Sequence, residues 1–317
     1  AQCLVGSEMC IRDSIKTMKY LSFNIDNVNG GKILFDLYAQ TGDERYKIAM
    51  DTLRKQMAEQ PRTSEGGFWH KLRYPHQMWL DGIFMASPYL VQYGATFNEP
   101  ALFDEATKQI LLINSKTYDP ATGLFYHGWD ESREQKWSNP ETGCSPNFWS
   151  RSIGWYGAAI VDVLDFLPQE TAGRDSIIQI LQGLAKAIVK YQDPSSGTWY
   201  QVTDQGVREG NYLESSATAL FIYTLAKAIN KGYIGNEYIE PTQKAFDGMV
   251  KTFTRLEEDG SYTITNCCAV AGLGGDSKRY RDGSFEYYIS EPIIENDPKS
   301  VGSFILAAIE YEKMTKK

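Results

Sequence analysis

The sequence predicts an all-α fold in which inner and outer helices alternate around a ring. Apolar residues recur at helical spacing through most of the chain. Helices that are apolar nearly all round, as buried helices are, alternate with helices that carry charge on one face. A turn made of glycine and aromatic residues recurs between a charged helix and the next apolar one. Such units cannot bury their own apolar faces, so they must stack in a ring or along a solenoid.

The apolar periodicity predicts nine helices, of which the first, third, fifth, seventh and ninth are the inner ones. We expect the N-terminal ends of these five helices to lie together at one mouth of the ring. The predicted ranges, in chain order, are 26–40, 43–58, 77–94, 98–116, 148–167, 172–192, 212–231, 235–254 and 298–315.

The recurring turn is centred on Gly66, Gly123, Gly197 and Gly260, and each turn predicts a short β-hairpin element. Asp-Pro pairs introduce two of these turns, at residues where Asx and Pro chemistry ends a helix and begins a loop. Successive turns are 57, 74 and 63 residues apart. Because solenoids usually keep a constant period, this unequal spacing favours a closed α/α barrel with one elaborated mouth.

Composition excludes several classes of protein. A net charge of -8 and a pI near 5.1 argue against nucleic-acid binding, which requires a basic face. No apolar run approaches the ~20 residues that span a bilayer, so no membrane partner is expected. The five cysteines are an odd number without metal-ligand spacing, which favours a reducing compartment. We therefore expect a cytoplasmic protein, with the periplasm as the alternative.

The length of 317 residues does not settle the number of domains, since closed barrels of this size form around one core. Residues 1–14 do not join smoothly to the helical pattern and have no signal-peptide layout. We predict that residues 1–14 are an atypical leader outside the fold. Residues 15–317 are then a single α/α-barrel catalytic domain.

Polar residues at the starts of inner helices are the candidates for chemistry, because these starts converge across the barrel axis. Asp26 and Asp81 both occupy such positions. Apolar neighbours surround Asp81 in the sequence, and they would make ionisation costly, as suits a proton donor near neutral pH. The alternative for both aspartates is a helix cap that binds backbone N–H groups.

Arg151 and Trp155 are spaced to lie on one face of a helix, where a guanidinium could hold a carboxylate while an indole stacks on a ring. A charged sugar is a ligand that needs both a cation for its carboxylate and an aromatic surface for its ring. The alternative for Arg151 is an ion pair with a buried aspartate. His70 and His127 both lie in the glycine-aromatic loops, and this shared position weakens the alternative of a surface histidine.

Several segments together resemble glycoside hydrolase family 105. Two of them are YPHQMWLDG at 74–82 and FYHGWDE at 125–131. The resemblance extends over nearly the whole chain after Asn24. The other segments are 145–151, 197–202, 211–216, 268–274 and 280–288.

The resemblance implies an (α/α)6 barrel and the activity of an unsaturated rhamnogalacturonyl hydrolase in pectin degradation. Such an enzyme releases a 4-deoxy-4,5-unsaturated galacturonic acid from the non-reducing end of rhamnogalacturonan oligosaccharides. It hydrates the C4=C5 vinyl ether instead of displacing a group at the anomeric carbon with two carboxylates. One carboxyl group serves as acid and then as base. No metal or organic cofactor is implied.

By motif, Asp81 matches the catalytic aspartate of the family. Asp130 ranks below it, because Asp130 belongs to a loop and not to the start of an inner helix. The positions that match substrate-binding residues are Asp26, His70, Lys71, His127, Trp149, Arg151 and Trp155.

One departure from the family is a helix count of five inner and four outer helices, three short of the twelve that six pairs require. The resemblance therefore implies a barrel that lacks its first helices. We expect a monomer that binds an oligosaccharide with an unsaturated uronic acid end.

Two alternatives to this function stay open. One is an unsaturated glucuronyl hydrolase that acts on glycosaminoglycan fragments with the same fold and chemistry, although the QMWLD form at 77–81 favours the rhamnogalacturonan side. The other is a non-catalytic helical toroid that binds a partner in its concave mouth. The convergence of Asp, His and Arg at inner-helix starts argues against the toroid.

Overall fold

A computed structural model describes residues 20–275 and 279–316, and helices dominate them. The predicted all-α class is confirmed, and each long helix agrees with its predicted range to within a few residues. The helices are α1 (Asp26–Asn29), α2 (Lys32–Thr41), α3 (Glu44–Glu59), α4 (Leu80–Phe97), α5 (Ala101–Thr117), α6 (Ser150–Phe166), α7 (Arg174–Lys190), α8 (Ser215–Asn230), α9 (Ile239–Phe253), α10 (Phe285–Ser290) and α11 (Pro298–Thr315).

Two details differ from the prediction. The first inner helix is broken into α1 and α2 at Gly30 and Gly31. The short helix α10 has no predicted counterpart, because six residues are too few to show a helical period.

The inner ring consists of α1 with α2, then α4, α6, α8 and α11, and each member packs against the next. The outer helices α3, α5, α7 and α9 cover this ring, each against the inner helix that precedes or follows it. Helices α6 and α8 are buried on nearly every face. The outer helices bury only one face, as their one-sided charge predicts.

Within the described residues the ring has five inner and four outer members, which is the predicted count. No packing of similar extent joins α11 to α1 or α2 in that part of the chain. Exposed apolar side chains lie on these end members, at Ile33 on α2 and at Ile305, Leu306 and Ile309 on α11. The predicted leader at 1–14 lies outside the described residues. No described helix is both long and apolar enough to cross a membrane.

The four glycine turns share one conformation. Gly66, Gly123, Gly197 and Gly260 have φ between 77° and 90°, the left-handed region that favours glycine. The prediction of four hairpins is only partly right. Gly260 alone joins two paired strands, whereas Gly66 and Gly123 lie between residues joined by a single bridge.

One antiparallel strand pair joins neighbouring units of the ring, since Gln77–Trp79 pairs with Gly128–Asp130. The strands are β1 (Gln77–Trp79), β2 (Gly128–Asp130), β3 (Thr254–Leu256), β4 (Tyr262–Ile264), β5 (Cys267–Cys268) and β6 (Ile293–Ile294). They form three antiparallel pairs, β1 with β2, β3 with β4, and β5 with β6.

The start of each of four inner helices is held by the next loop along the chain. A backbone N–H at the helix start has no partner within the helix and must find one outside. In these four helices that N–H donates to a loop carbonyl. The starts of the helices therefore lie next to the loops that carry the glycine turns. The bonds are Ile25 N to His70 O at 3.2 Å, Leu80 N to His127 O at 3.0 Å, Ser150 N to Gln201 O at 3.1 Å and Ser215 N to Asn266 O at 3.1 Å.

Glycine allows α6 and α8 to approach each other closely. A Cβ atom on Gly154 would lie 2.7 Å from the Cβ atom of Leu220 on α8, closer than real Cβ contacts. Gly183 on the outer helix α7 is a matched contrast, because a Cβ atom there would meet nothing within 4 Å. The inner ring therefore depends on the absence of a side chain at Gly154.

We predict opposite effects of alanine at these two glycines. Gly154→Ala should lower the free energy of unfolding by about 1–2 kcal/mol, because α6 and α8 must move apart. Gly183→Ala should raise it by about 0.5–1 kcal/mol, because alanine is the better helix former. Denaturant unfolding of both variants is the measurement. Equal stabilisation by the two substitutions would contradict the described packing of α6 on α8.

Candidate active site

Asp81 lies in the first turn of α4, beside the loop that carries His127. Its Oδ2 atom is 3.2 Å from His127 Nε2, and its side chain is 14% exposed. The N–H of Leu80, the residue before Asp81, donates to the carbonyl of His127. The backbone bond thus holds the imidazole next to the carboxyl group.

Asp26 and His70 repeat this arrangement one unit earlier in the chain. Asp26 Oδ1 is 3.3 Å from His70 Nε2, and the N–H of Ile25 donates to the carbonyl of His70. In both units the aspartate follows the residue whose N–H binds the loop. The repeating fold therefore produces two equivalent His–Asp pairs at one mouth.

The two aspartates differ in their third neighbour. Lys71 Nζ lies 2.5 Å from Asp26 Oδ2. Burial acts against ionisation of Asp26, but His70 and Lys71 together hold its pKa below the usual range. Within the described residues, His127 is the only basic group in ion-pair range of Asp81. Asp26 is thus a fixed anion, whereas no lysine or arginine pairs with Asp81 among the described residues.

His127 is fully buried between Asp81 and Tyr288. Its Nδ1 atom is 2.8 Å from the hydroxyl of Tyr288. Burial lowers the pKa of His127, and the positive charge of Arg281 acts in the same direction while Asp81 opposes both. The imidazole is consequently neutral at neutral pH.

Aromatic rings connect the two His–Asp pairs. The ring of Trp79 stacks on that of His70 at 4.4 Å between centroids and meets the edge of His127 at 5.4 Å. Tyr74 also stacks on Trp79, at 5.0 Å between centroids. Neither Trp79 nor Tyr74 is among the predicted site residues, although both lie in the segment that carries the family resemblance.

The two predicted tryptophans have different positions. Trp155 packs on Phe84 at 4.5 Å between ring centroids. Trp149 is 1% exposed and contacts His127, and its Nε1 donates to Gln201 Oε1 at 3.1 Å. Trp149 therefore lies beneath His127 and supports it, and almost none of its surface faces solvent.

Arg151 is also buried, at 1% exposure, in a network of its own. Its Nη2 lies 3.1 Å from Glu214 Oε1, and its Nε donates to Ser216 Oγ at 2.6 Å. The carbonyl of Cys268 accepts a further bond from Nη2. This geometry favours the alternative that Arg151 is an ion-pair partner, with a glutamate where an aspartate was expected.

Asp130 is buried with both carboxylate oxygens occupied. One oxygen accepts from the N–H and hydroxyl of Ser132, and the other accepts from the N–H of Gln135. These bonds hold the loop after β2. They agree with the lower rank given to Asp130 as a proton donor.

Arg281 is a cation at this mouth that the sequence did not single out. Its Nη2 donates to the hydroxyl of Tyr74 at 2.6 Å, and its Nε donates to the carbonyl of Gly274 at 3.1 Å. In the part of the chain that the structure describes, the side chain of Arg281 bonds to the hydroxyl of Tyr74 and to the carbonyls of Gly274 and Leu273, and none of these partners is a carboxylate. Its side chain thus places an uncompensated positive charge close to His127.

Known proteins with similar sequences and folds were compared with the chain. The model of Glycosyl Hydrolase Family 88 matches residues 7–315. A solved glycoside hydrolase of family 105 from C. acetobutylicum ATCC 824 is 45% identical, with a TM-score of 0.91, and the match covers 93% of this chain and 81% of that one.

Two curated proteins are also similar. Protein Atu3128 of Agrobacterium fabrum is 37% identical over 230 residues, which cover 71% of this chain and 97% of that protein. The unsaturated rhamnogalacturonyl hydrolase YesR of Bacillus subtilis is 26% identical over 75% of this chain and 65% of that protein. Because the family model covers nearly all of the chain, and a solved family 105 structure is similar over most of it, the chain is a glycoside hydrolase that belongs to Glycosyl Hydrolase Family 88.

Proposed function

We propose that the enzyme removes a 4-deoxy-4,5-unsaturated galacturonic acid from the non-reducing end of rhamnogalacturonan oligosaccharides. The observation that carries this proposal is the unequal pair of aspartates, Asp26 bound by Lys71 and Asp81 beside a neutral His127. A relative named as an unsaturated rhamnogalacturonyl hydrolase supports the choice of substrate. From its cysteines we further propose a cytoplasmic protein, with the periplasm as the alternative, and we expect it to be a monomer.

In the proposed reaction Asp81 acts first as an acid. Its carboxyl proton is transferred to C4 of the unsaturated sugar, and the electrons of the C4=C5 bond form the new C–H bond. Positive charge then develops at C5 and the ring oxygen. Water adds to C5 and gives its proton to the Asp81 carboxylate, which restores the acid. The hemiketal opens to a ketone at C5, and the hemiacetal at C1 releases the aglycone.

Asp26 supplies a fixed negative charge in this scheme. Lys71 and His70 keep it ionised, and its side chain is still 40% exposed at the mouth. An ionised carboxylate can accept hydrogen bonds from sugar hydroxyls and can stabilise the positive charge that develops in the ring. We therefore propose that Asp26 orients the sugar and that it does not transfer the proton.

The carboxylate of the uronic acid needs a cation. Arg151 is committed to Glu214 in the interior, whereas the partners of Arg281 among the described residues are a hydroxyl and two carbonyls, with no carboxylate. A guanidinium binds a carboxylate with two parallel hydrogen bonds when its geometry allows. We propose Arg281 as the cation that recognises the uronate.

We predict that Asp81→Asn abolishes turnover and leaves substrate affinity nearly intact. The amide keeps the shape of the side chain but cannot give up a proton in the transition state, so kcat should fall about 10²–10⁴-fold. The ultraviolet absorbance of the unsaturated bond, followed with lyase-treated rhamnogalacturonan, measures turnover. Lyase-treated glycosaminoglycan fragments test the alternative substrate in the same assay.

Asp130→Asn is the matched control for Asp81→Asn. Asp130 binds only its own loop, so its variant should keep most of the turnover despite some loss of stability. If Asp81→Asn retained more than about a tenth of the kcat of the unmodified enzyme, Asp81 would not be the proton donor.

A second prediction separates the two arginines by the same substitution. Arg281→Met should raise KM about tenfold or more with a smaller change in kcat, because the carboxylate is present in both the ground state and the transition state. Arg151→Met should instead lower the free energy of unfolding by about 3–5 kcal/mol, because it leaves Glu214 buried without its cation.

Steady-state kinetics and denaturant unfolding of both arginine variants make this comparison. An Arg281→Met enzyme with unchanged KM would remove Arg281 from the uronate subsite. A fully stable Arg151→Met protein with raised KM would return that role to Arg151.

A further inference from the structure

Tyr288 is a buried tyrosine whose hydroxyl contacts His127 in the proposed catalytic centre. It lies on α10, and its oxygen is 2.8 Å from His127 Nδ1, across a chain separation of 161 residues. The proposed reaction uses Asp81 and does not assign any role to this phenol. A buried donor or acceptor without a partner costs free energy, so the phenol and the buried Nδ1 atom satisfy each other.

The direction of this hydrogen bond follows from the chemistry of the phenol. Burial raises the pKa of Tyr288 well above its usual value, so the hydroxyl keeps its proton. In its bond to the neutral imidazole, the protonated phenol can donate to a ring nitrogen that carries no hydrogen. His127 Nδ1 is the one hydrogen-bond partner of that hydroxyl among the described residues, so a donating phenol leaves the single imidazole proton on Nε2.

The protonated nitrogen is the one that faces Asp81. His127 Nε2 lies 3.2 Å from Asp81 Oδ2, a distance within hydrogen-bond range, although the two atoms do not form a hydrogen bond of good geometry in this structure. Such bonds often tighten only when substrate is present. An N–H at Nε2 occupies Oδ2, so the proton that Asp81 delivers must reside on Oδ1.

We propose that Tyr288 is a positioning residue that fixes His127 as the Nε2–H tautomer and thereby keeps the acidic proton of Asp81 on the oxygen that faces the sugar. The inference rests on the proposed role of Asp81 as the proton donor. In the opposite tautomer, Nε2 would be an acceptor that competes with C4 of the substrate for that proton. Tyr288 prevents this competition without touching substrate.

The second His–Asp pair, His70 with Asp26, has no tyrosine bound to its histidine among the described residues. His70 Nδ1 is buried and has no hydrogen-bond partner among the described residues. The N–H of Ile25 holds the His70 loop in the same way as Leu80 holds the loop of His127. The repeat therefore provides the pair, and Tyr288 is an addition to the pair that contains the proposed acid.

Tyr288 is held rigidly enough to select a tautomer. Its ring stacks on that of Trp149 at 5.9 Å with an interplanar angle of 12°. Gln201 Nε2 donates to its backbone carbonyl at 3.2 Å, and Gln201 also accepts from Trp149. The phenol consequently has a fixed approach to Nδ1.

The experiment compares Tyr288→Phe with Tyr156→Phe in the full-length protein. Tyr156 is an equally buried tyrosine whose hydroxyl donates to the carbonyl of Ile110, and it provides a matched loss of one buried hydrogen bond. Nitrogen-15 NMR of the imidazole rings reports the tautomer directly, and the chain has only 3 histidines to assign. Steady-state kinetics on the unsaturated oligosaccharide give kcat and KM.

We expect an Nε2–H signal for His127 in the unmodified protein and in Tyr156→Phe, and a mixed or Nδ1–H signal in Tyr288→Phe. In Tyr288→Phe, kcat should fall about 10–100-fold, the usual effect of losing a group that orients a functional histidine, with KM changed less than about twofold. Tyr156→Phe should keep both constants.

Three results would overturn the proposal. They are an Nδ1–H tautomer in the unmodified protein, an unchanged kcat in Tyr288→Phe, and equal losses of kcat in the two variants. The NMR measurement needs no turnover, so failure of the proposed function would be recognised separately as an inactive protein in which His127 still has its Nε2–H tautomer.

Discussion

The hydrogen bond between the start of an inner helix and the next loop is the constraint on which the site depends. An inner helix cannot leave its first N–H groups unpaired in the interior, and the loop after the following glycine turn supplies the carbonyl. This bond fixes which loop residue lies beside the first helical turn. It places His70 beside Asp26 and His127 beside Asp81. A requirement of the backbone thus determines the arrangement of the candidate catalytic side chains.

Repetition alone would give two pairs with the same properties, and contacts outside the repeat make them different. Lys71 holds Asp26 in the ionised form, whereas Tyr288 binds the histidine of the other pair. In the next unit Arg151 occupies the equivalent position, and it forms a buried ion pair with Glu214. One structural rule, applied three times, therefore produces a fixed anion, a candidate proton donor and a buried ion pair.

The helices and the individual aspartates and histidines of the two pairs could be predicted from the sequence because their signals are local, but which histidine lies beside which aspartate could not. A helix shows its period within a few turns, and each aspartate or histidine lies at a recognisable helix start or glycine loop. The partner of Arg151 could not be predicted, since Glu214 is 63 residues away, and no local pattern marks the contact. The contact of Tyr288 with His127 spans 161 residues for the same reason. Arg281 was overlooked because its position near His127 results from the folded loops alone.

In the proposed reaction the sugar is released by protonation at C4 and not by displacement at C1. The most direct measurement is NMR of the sugar product formed in D2O, with the reaction stopped after its first turnovers. A single carboxyl donor on one face predicts one deuterium at C4 in one stereochemical position. A product that carries no deuterium at C4, as displacement at C1 would give, would contradict the account.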